Sequence, residues 1–212
     1  MKRYRTPITM KKRLTEIILS STFRFSEEPS FKLASGRRSS FYFNCKPTTL
    51  NSEGMFLTGN LLYGMISGER KWQVKGVGGL TLGADPIACA IAYTAYTKGE
   101  PLEAFVIRKE PKKHGTMLWV EGGVDKGDRV LIVEDVITTG GSSKKAIDRA
   151  GECGLKVMGL LALIDRQEGG REVIKAMGLP FKSLFTKEEI LKAYKEQGTK
   201  AHRRKDIKDV RD

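Results

Sequence analysis

The stretch VLIVEDVITTGGSS, Val130 to Ser143, decides how the chain is read. Val130, Leu131, Ile132 and Val133 form a short apolar run bounded by polar residues, which predicts a buried strand from Arg129 to Glu134. The run ends in two carboxylates, Glu134 and Asp135, and then becomes Thr138-Thr139-Gly140-Gly141-Ser142-Ser143, which leads into a helix predicted from Gly141 to Gly151. Hydroxyls and open backbone amides at the positive end of a helix suit an anion, above all a phosphate monoester. Two acids beside such a site would repel the guest unless they address another part of it. The vicinal hydroxyls of a sugar fit, as does a Mg²⁺ ion carried by further phosphates.

The loop is not a Walker loop, since GxxxxGK[ST] is absent, and no GxGxxG follows a strand. Taken alone, the segment also fits an ordinary Gly/Thr-rich helix start behind an acidic turn.

Outward from this stretch the elements alternate. Strands are predicted at Val157 to Ile164 and in FKSLF (Phe181 to Phe185), with a short helix after Gly170 between them. A final helix starts at Thr186, where Thr186 and Glu189 have the spacing of a capping box. Upstream, EAFVIRK and VKGVGG read as strands and GADPIACAIAYTAY as an Ala-rich helix. A helix is predicted from Asn51 to Ile66, and an aromatic-rich hairpin from Phe31 to Asn44. Met10, Leu14, Ile17 and Ile18 give the apolar stripe of an N-terminal helix. Strand and helix in alternation predict an α/β fold: a central, mainly parallel sheet flanked by helices on both faces.

Composition narrows the class. The chain has 212 residues, 40% hydrophobic and 30% charged, which fits one soluble domain. The formal charge of +13 raises the question of nucleic acid. However, residues 1–13 carry +6 and residues 192–212 carry +4, leaving about +3 for the body, so no basic body groove is indicated. Cys45, Cys89 and Cys153 are odd in number and lack CxxC spacing, which suggests neither a disulfide framework nor a zinc site. No stretch reaches the roughly 18 apolar residues of a membrane span and no signal peptide is evident, so a cytoplasmic location is expected.

In open parallel sheets ligands bind beyond the carboxyl ends of the strands. Arg108, Glu134, Asp135, Asp165 and Arg166 all fall at predicted strand ends. The basic segment RKEPKKHG, Arg108 to Gly115, reads either as a solvated charge run or as a clamp over a polyanion, with His114 able to donate to an oxygen. Phe41, Tyr42 and Phe43 read as hairpin packing or as a face on which a planar heterocycle stacks. Arg166 suits a surface ion pair or the edge of a carboxylate or imide.

VLIVEDVITTGGSS closely resembles the signature of the type I phosphoribosyltransferases. Together with FKLASGRRSSFYFNCK, RKEPKKHGT, LIDRQEGG and FKSLFTKEEI, it resembles the orotate phosphoribosyltransferase family from about Leu14 to Tyr194. The resemblance implies the type I fold, with a small N-terminal hood (residues 1–50), an α/β core (51–198), a charged tail (199–212) and a flexible catalytic loop. It implies transfer of ribose 5-phosphate from phosphoribosyl pyrophosphate (PRPP) to orotate, giving orotidine 5′-monophosphate and pyrophosphate in pyrimidine (UMP) biosynthesis.

Carried over, the resemblance gives Glu134 and Asp135 the ribose hydroxyls. The loop Val136, Ile137, Thr138, Thr139, Gly140, Gly141 and Ser142 takes the 5′-phosphate. Arg108, Lys109, Lys112 and His114 would engage pyrophosphate, Lys109 reaching into the neighbouring subunit of a homodimer with shared sites. Thr138 and Arg166 would contact orotate, with Tyr42 and Phe43 as the stacking face. Lys112, His114 and Asp135 are the implied catalytic residues, and Mg²⁺ would arrive on PRPP without a direct protein ligand. Nucleic acid and membrane partners are not implied.

Ala34 departs from the lysine common at that hairpin position, and Gly76 to Pro86 matches the family's pyrophosphate loop only in general character. A purine-type phosphoribosyltransferase and a non-catalytic, nucleic-acid-binding relative stay open as alternatives.

Overall fold

The computed structural model describes residues 6–32, 38–69, 71–111 and 119–208, with side chains as far as Gln197. Thr6 opens the first helix, α1 (Pro7–Ile17), through a capping box with Thr9. Leu14 and Ile18 of the predicted stripe are fully buried, and Met10 and Ile17 pack partly against them. The helix slips into a π-helical turn at Ile18–Thr22 before strand β1 (Phe23–Phe25).

The aromatic segment is not one hairpin. Strand β2 (Phe31–Lys32) pairs antiparallel with β3 (Arg38–Ser39), whereas β4 (Phe41–Phe43) pairs with β1, setting Phe23 opposite Phe43 and Phe25 opposite Phe41. Rings draw the distant strands together. Phe23 lies 5.1 Å from Phe43, and Phe25 lies 5.5 Å from Phe41. Cross-strand aromatic pairs of this kind are each worth about 0.2–1 kcal/mol.

Helices α2 (Lys46–Thr49) and α3 (Ser52–Ser67) follow, α3 capped by Asn51, whose Oδ1 accepts from Gly54 N at 3.0 Å. Strand β5 (Gly76–Leu80), helix α4 (Asp85–Thr97) and strands β6 (Glu103–Ile107) and β7 (Val120–Gly122) come next. Then the chain runs through β8 (Arg129–Ile137), α5 (Gly141–Glu152), β9 (Lys156–Asp165), α6 (Gly170–Ala176), β10 (Phe181–Thr186) and α7 (Lys187–Lys208). The Thr186–Glu189 capping box forms as predicted: Thr186 N donates to Glu189 Oε2 at 2.8 Å and Glu189 N to Thr186 Oγ1 at 3.2 Å.

The main sheet has the order β10-β9-β8-β5-β6-β7, all parallel except β7. The period-free connection after β6 therefore contains an edge strand, too short and glycine-rich to betray itself by alternation. Apolar residues cover both faces. Leu131 and Val133 of β8 face the layer built with α1, α3 and α4, whereas Val130 and Ile132 face the layer with Ala146, Ile147 and Ala150 of α5. Each fully buried aliphatic side chain contributes about 1.5–3 kcal/mol, so this two-sided burial fixes the register of β8. From β5 the chain proceeds to β6 on one side, while β8, β9 and β10 build outward on the other. The carboxyl ends of β5 and β8 thus flank the switch point where such sheets hold ligands.

Candidate active site

Strand β8 runs to Ile137, three residues beyond the predicted end at Glu134. Glu134 and Asp135 are therefore strand residues, and the alternation of β8 slips at the acids, since Val136 packs with Leu131 and Val133 and Ile137 with Val130 and Ile132. Glu134 follows Val130 and Ile132 toward α5. It is only 7% exposed, and its Oε2 accepts from Ser143 Oγ at 2.8 Å. Asp135 follows Leu131 and Val133 to the other face, where its Oδ1 accepts from Val136 N at 2.9 Å and abuts Gly83. The pair does not stand at a loop mouth: both acids lie within the strand, and their carboxyl groups interact.

Burial, with the charge of Asp135 next, pushes the Glu134 carboxyl up to about 8, against the opposing hydrogen bond from Ser143. Cys45 lies behind the pair and its Sγ donates to the Asp135 carbonyl at 3.8 Å. Burial, reinforced by Asp135, raises that thiol well above its ordinary value, so it stays protonated and inert.

Beyond Ile137 the chain turns into the anion cradle. Glu134, Val136, Ile137 and the run Thr138 to Ser143 enclose a cavity of about 70 Å³. The Val136 and Ile137 side chains belong to the packed layers, so these two residues can serve a ligand only through their backbone. Gly140 caps α5 in the left-handed region at φ 82°, and the amides of Gly141, Ser142 and Ser143, in the first turn, have no intrahelical acceptor. Thr139, Gly141 and Ser142 are exposed at the mouth.

Gly170 supports the cradle from outside. Its N donates to Thr138 O at 2.9 Å, and a Cβ there would stand 2.5 Å from Ile137 Cγ1. Only the Gly-Gly of LIDRQEGG hinted at this contact in the sequence.

Arg166 follows the last residue of β9 and its N donates to Ile137 O at 3.0 Å, which sets it beside the cradle. The side chain is buried. Its guanidinium lies 5.8 Å from the Phe43 ring, with Nη2 2.8 Å and Nε 3.1 Å from Glu168 Oε1. The structure thus brings Phe43 to Arg166. Tyr42, next along β4, takes the other side of the strand, where it stacks on Phe31 at 5.7 Å.

At the far side, Arg108 Nη1 pairs with Glu121 Oε1 of β7 at 2.9 Å and Nε donates to Glu110 O at 3.1 Å. Its guanidinium lies along the sheet edge, not in the cradle, and Lys109 is exposed. Arg149 of α5 clasps the stem here: its Nη1 donates to Arg108 O at 2.7 Å and its guanidinium lies 4.2 Å over the Trp119 ring. Lys112 and His114 fall within residues 112–118, and Ala34 within 33–37, outside the described residues.

Sequence reasoning matched Gly76 to Pro86 to the family's pyrophosphate loop in general character and singled out no residue there. In the structure Gly83 is a site residue, because a Cβ there would meet the Asp135 carboxylate at 2.6 Å. Thr81 Oγ1 donates to Asp85 Oδ2 at 2.6 Å and holds this turn to the start of α4. Among the described residues, no group of three or more His, Cys, Asp or Glu could hold a metal ion.

A switch-point cradle at a helix start, with a buried acid at its base, is the arrangement of a phosphoribosyltransferase, and residues 79–183 match the family described as Phosphoribosyl transferase domain. The chain is 42% identical over 181 residues to the orotate phosphoribosyltransferase of Aquifex aeolicus, covering 85% of this chain and 97% of that protein. It is 45% identical over 185 residues to that of Bradyrhizobium diazoefficiens, covering 85% and 96%. The crystal structure of Mycobacterium tuberculosis H37Rv orotate phosphoribosyltransferase in complex with PRPP superimposes with a TM-score of 0.70 at 32% identity, covering 85% of this chain and 98% of that one. The chain belongs to the orotate phosphoribosyltransferase family.

Proposed function

We propose that the chain is a pentosyltransferase that moves ribose 5-phosphate from PRPP to orotate, yielding orotidine 5′-monophosphate and pyrophosphate in pyrimidine biosynthesis. The observation that carries this reading is one continuous segment, β8 into α5, which ends a buried acid-bearing strand in a cradle sized for a single phosphoryl group. The amides of Gly141 to Ser143 and the hydroxyls of Thr138, Thr139 and Ser142 take the 5′-phosphate. Glu134 and Asp135 accept from the ribose hydroxyls. Arg166 meets the carboxylate of orotate, with Phe43 bordering the base and Thr138 within reach of both substrates.

A ring nitrogen of orotate attacks C1 as the bond to pyrophosphate breaks, so positive charge grows at C1 and negative charge on the leaving group. The protein's work is positioning and electrostatic stabilisation, with Lys112 and His114, and Lys109 from the second subunit, assigned to the leaving group. Mg²⁺, when carried in on PRPP, would supply further neutralisation of that charge. It would need no direct protein ligand, because Mg²⁺ keeps most of its ligands as water and phosphate.

A homodimer fits the outer face of α4, where Cys89, Tyr93 and Tyr96 are exposed at helical spacing, the tyrosines by 73% and 74%, with Leu82 exposed by 66% at the helix's foot. The three cysteines are free, which supports a reducing, cytoplasmic setting. We read residues 1–212 as one domain, a hood on an α/β core with a charged tail.

Turnover assays with PRPP and orotate, adenine, hypoxanthine or xanthine, with and without Mg²⁺, test the reading. Metal-dependent turnover of orotate alone is expected. Preference for a purine would sink it.

A further inference from the structure

We propose that Glu168 occupies Arg166 whenever the base site is empty, so that a carboxylated ring binds by exchanging with it. The inference rests on the reading that Arg166 meets the base. Its starting point is the backbone of Asp165-Arg166-Gln167-Glu168. Gln167 has φ 57°, the only non-glycine residue in the left-handed region among those described. Gln167 N donates to Asp165 Oδ1 at 2.8 Å, and Gln167 Oε1 accepts from Glu188 N at the start of α7 at 3.1 Å. Asp165, fully buried, is held in turn by Arg171 Nε at 3.1 Å. A reversal at residue 167, pinned from both sides, folds the chain back so that Glu168 reaches the guanidinium two residues earlier.

One oxygen of Glu168 takes both Nε and Nη2 of Arg166, and the Arg166 side chain is 6% exposed against 20% for Glu168. A buried guanidinium needs a counter-charge, and in the empty site this acid supplies it.

An incoming ring must therefore compete with a carboxylate. A carboxylated pyrimidine offers Arg166 an equivalent charge-assisted partner and exchanges with Glu168. A neutral ring such as uracil offers only carbonyl oxygens, weaker partners for a guanidinium than a carboxylate, and leaves the pair in place. Glu168 thereby tempers the affinity for the carboxylated base, which alone meets the cost of breaking the Arg166–Glu168 pair.

Steady-state kinetics of the full chain test this, with Glu168→Gln and Glu168→Asp, using orotate and uracil as bases. In Glu168→Gln the KM for orotate should fall about 3- to 10-fold, with kcat and the KM for PRPP within about twofold of wild type, and the preference for orotate over uracil should widen. Glu168→Asp keeps the charge but withdraws it by one methylene, so it should shift the KM in the same direction by less, and it serves as the test if the first variant misfolds. Calorimetric titration with orotate should show the same tightening without turnover. An orotate KM unchanged or raised in the folded variants overturns the proposal, since Glu168 would then orient Arg166 and not compete for it. Failure of the wild-type chain to turn over orotate would refute the functional reading instead, and it shows in the first assay.

Discussion

Gly83 lies hard against the carboxylate of Asp135: a methyl group at position 83 would stand 2.6 Å from Oδ1 and 2.8 Å from Cγ. The turn after β5 and the acid of β8 therefore share one space, and any side chain at 83 must displace Asp135 from the position it holds over the crevice. Gly83→Ala should cut kcat/KM by about 10- to 100-fold through misplacement of that acid. Because a mobile carboxylate end gives way, and not backbone, the melting temperature should stay within about 4 °C of wild type. Full activity in the variant would show that Asp135 does not need this position.

Glu134 gives the chain a pH signature. Its folded value, about 8, lies above its ordinary 4.5, so between those values the folded state keeps a proton that the unfolded chain has released. Its contribution to stability is then complete below about 4.5 and is lost as pH rises through 8. Glu134→Gln, which cannot ionise, should flatten the fall in melting temperature between pH 5 and pH 8.5. Parallel melting curves for the two proteins across that range would remove Glu134 as the source.

Lys112 is assigned to charge that develops only as pyrophosphate leaves. Lys112→Ala should lower kcat by about 100-fold or more while changing the dissociation constant for PRPP by only a few-fold. A near-normal kcat would end that assignment.

The exposed tyrosines of α4 make the dimer testable. Introducing Tyr93→Asp together with Tyr96→Asp should halve the mass seen by light scattering and abolish turnover, since each site would lose the partner's Lys109. A double variant that remains dimeric and active would place the interface elsewhere.

What the sequence disclosed follows its periodicities. The apolar run into Glu134, the glycine-rich turn and the Thr186 capping box each announce themselves locally, and their elements form where expected. The continuation of β8 through its two acids did not show, because carboxylates in a strand look like the end of one. The pairing of β4 with β1 depends on rings some twenty residues apart, beyond any short window. Gly83 carries no local signal and Gly170 only the hint of a Gly-Gly pair, since their importance lies in what approaches them from elsewhere in the fold. Glu168 was passed over because a left-handed glutamine, invisible as a letter, is what aims it at Arg166.

The stacking of Arg149 on Trp119 has an optical consequence. The chain has two tryptophans, and the other, Trp72, is buried 5.1 Å beneath Lys182. Trp119 stands at the foot of residues 112–118, with its ring face against a cation carried by the helix that starts at the phosphate cradle. A ligand that shifts α5 or the stem changes the field across that indole, and its emission should move. With Trp72 replaced by phenylalanine, the chain would become a single-chromophore sensor, reporting occupancy of its own site in real time without label or coupled reaction.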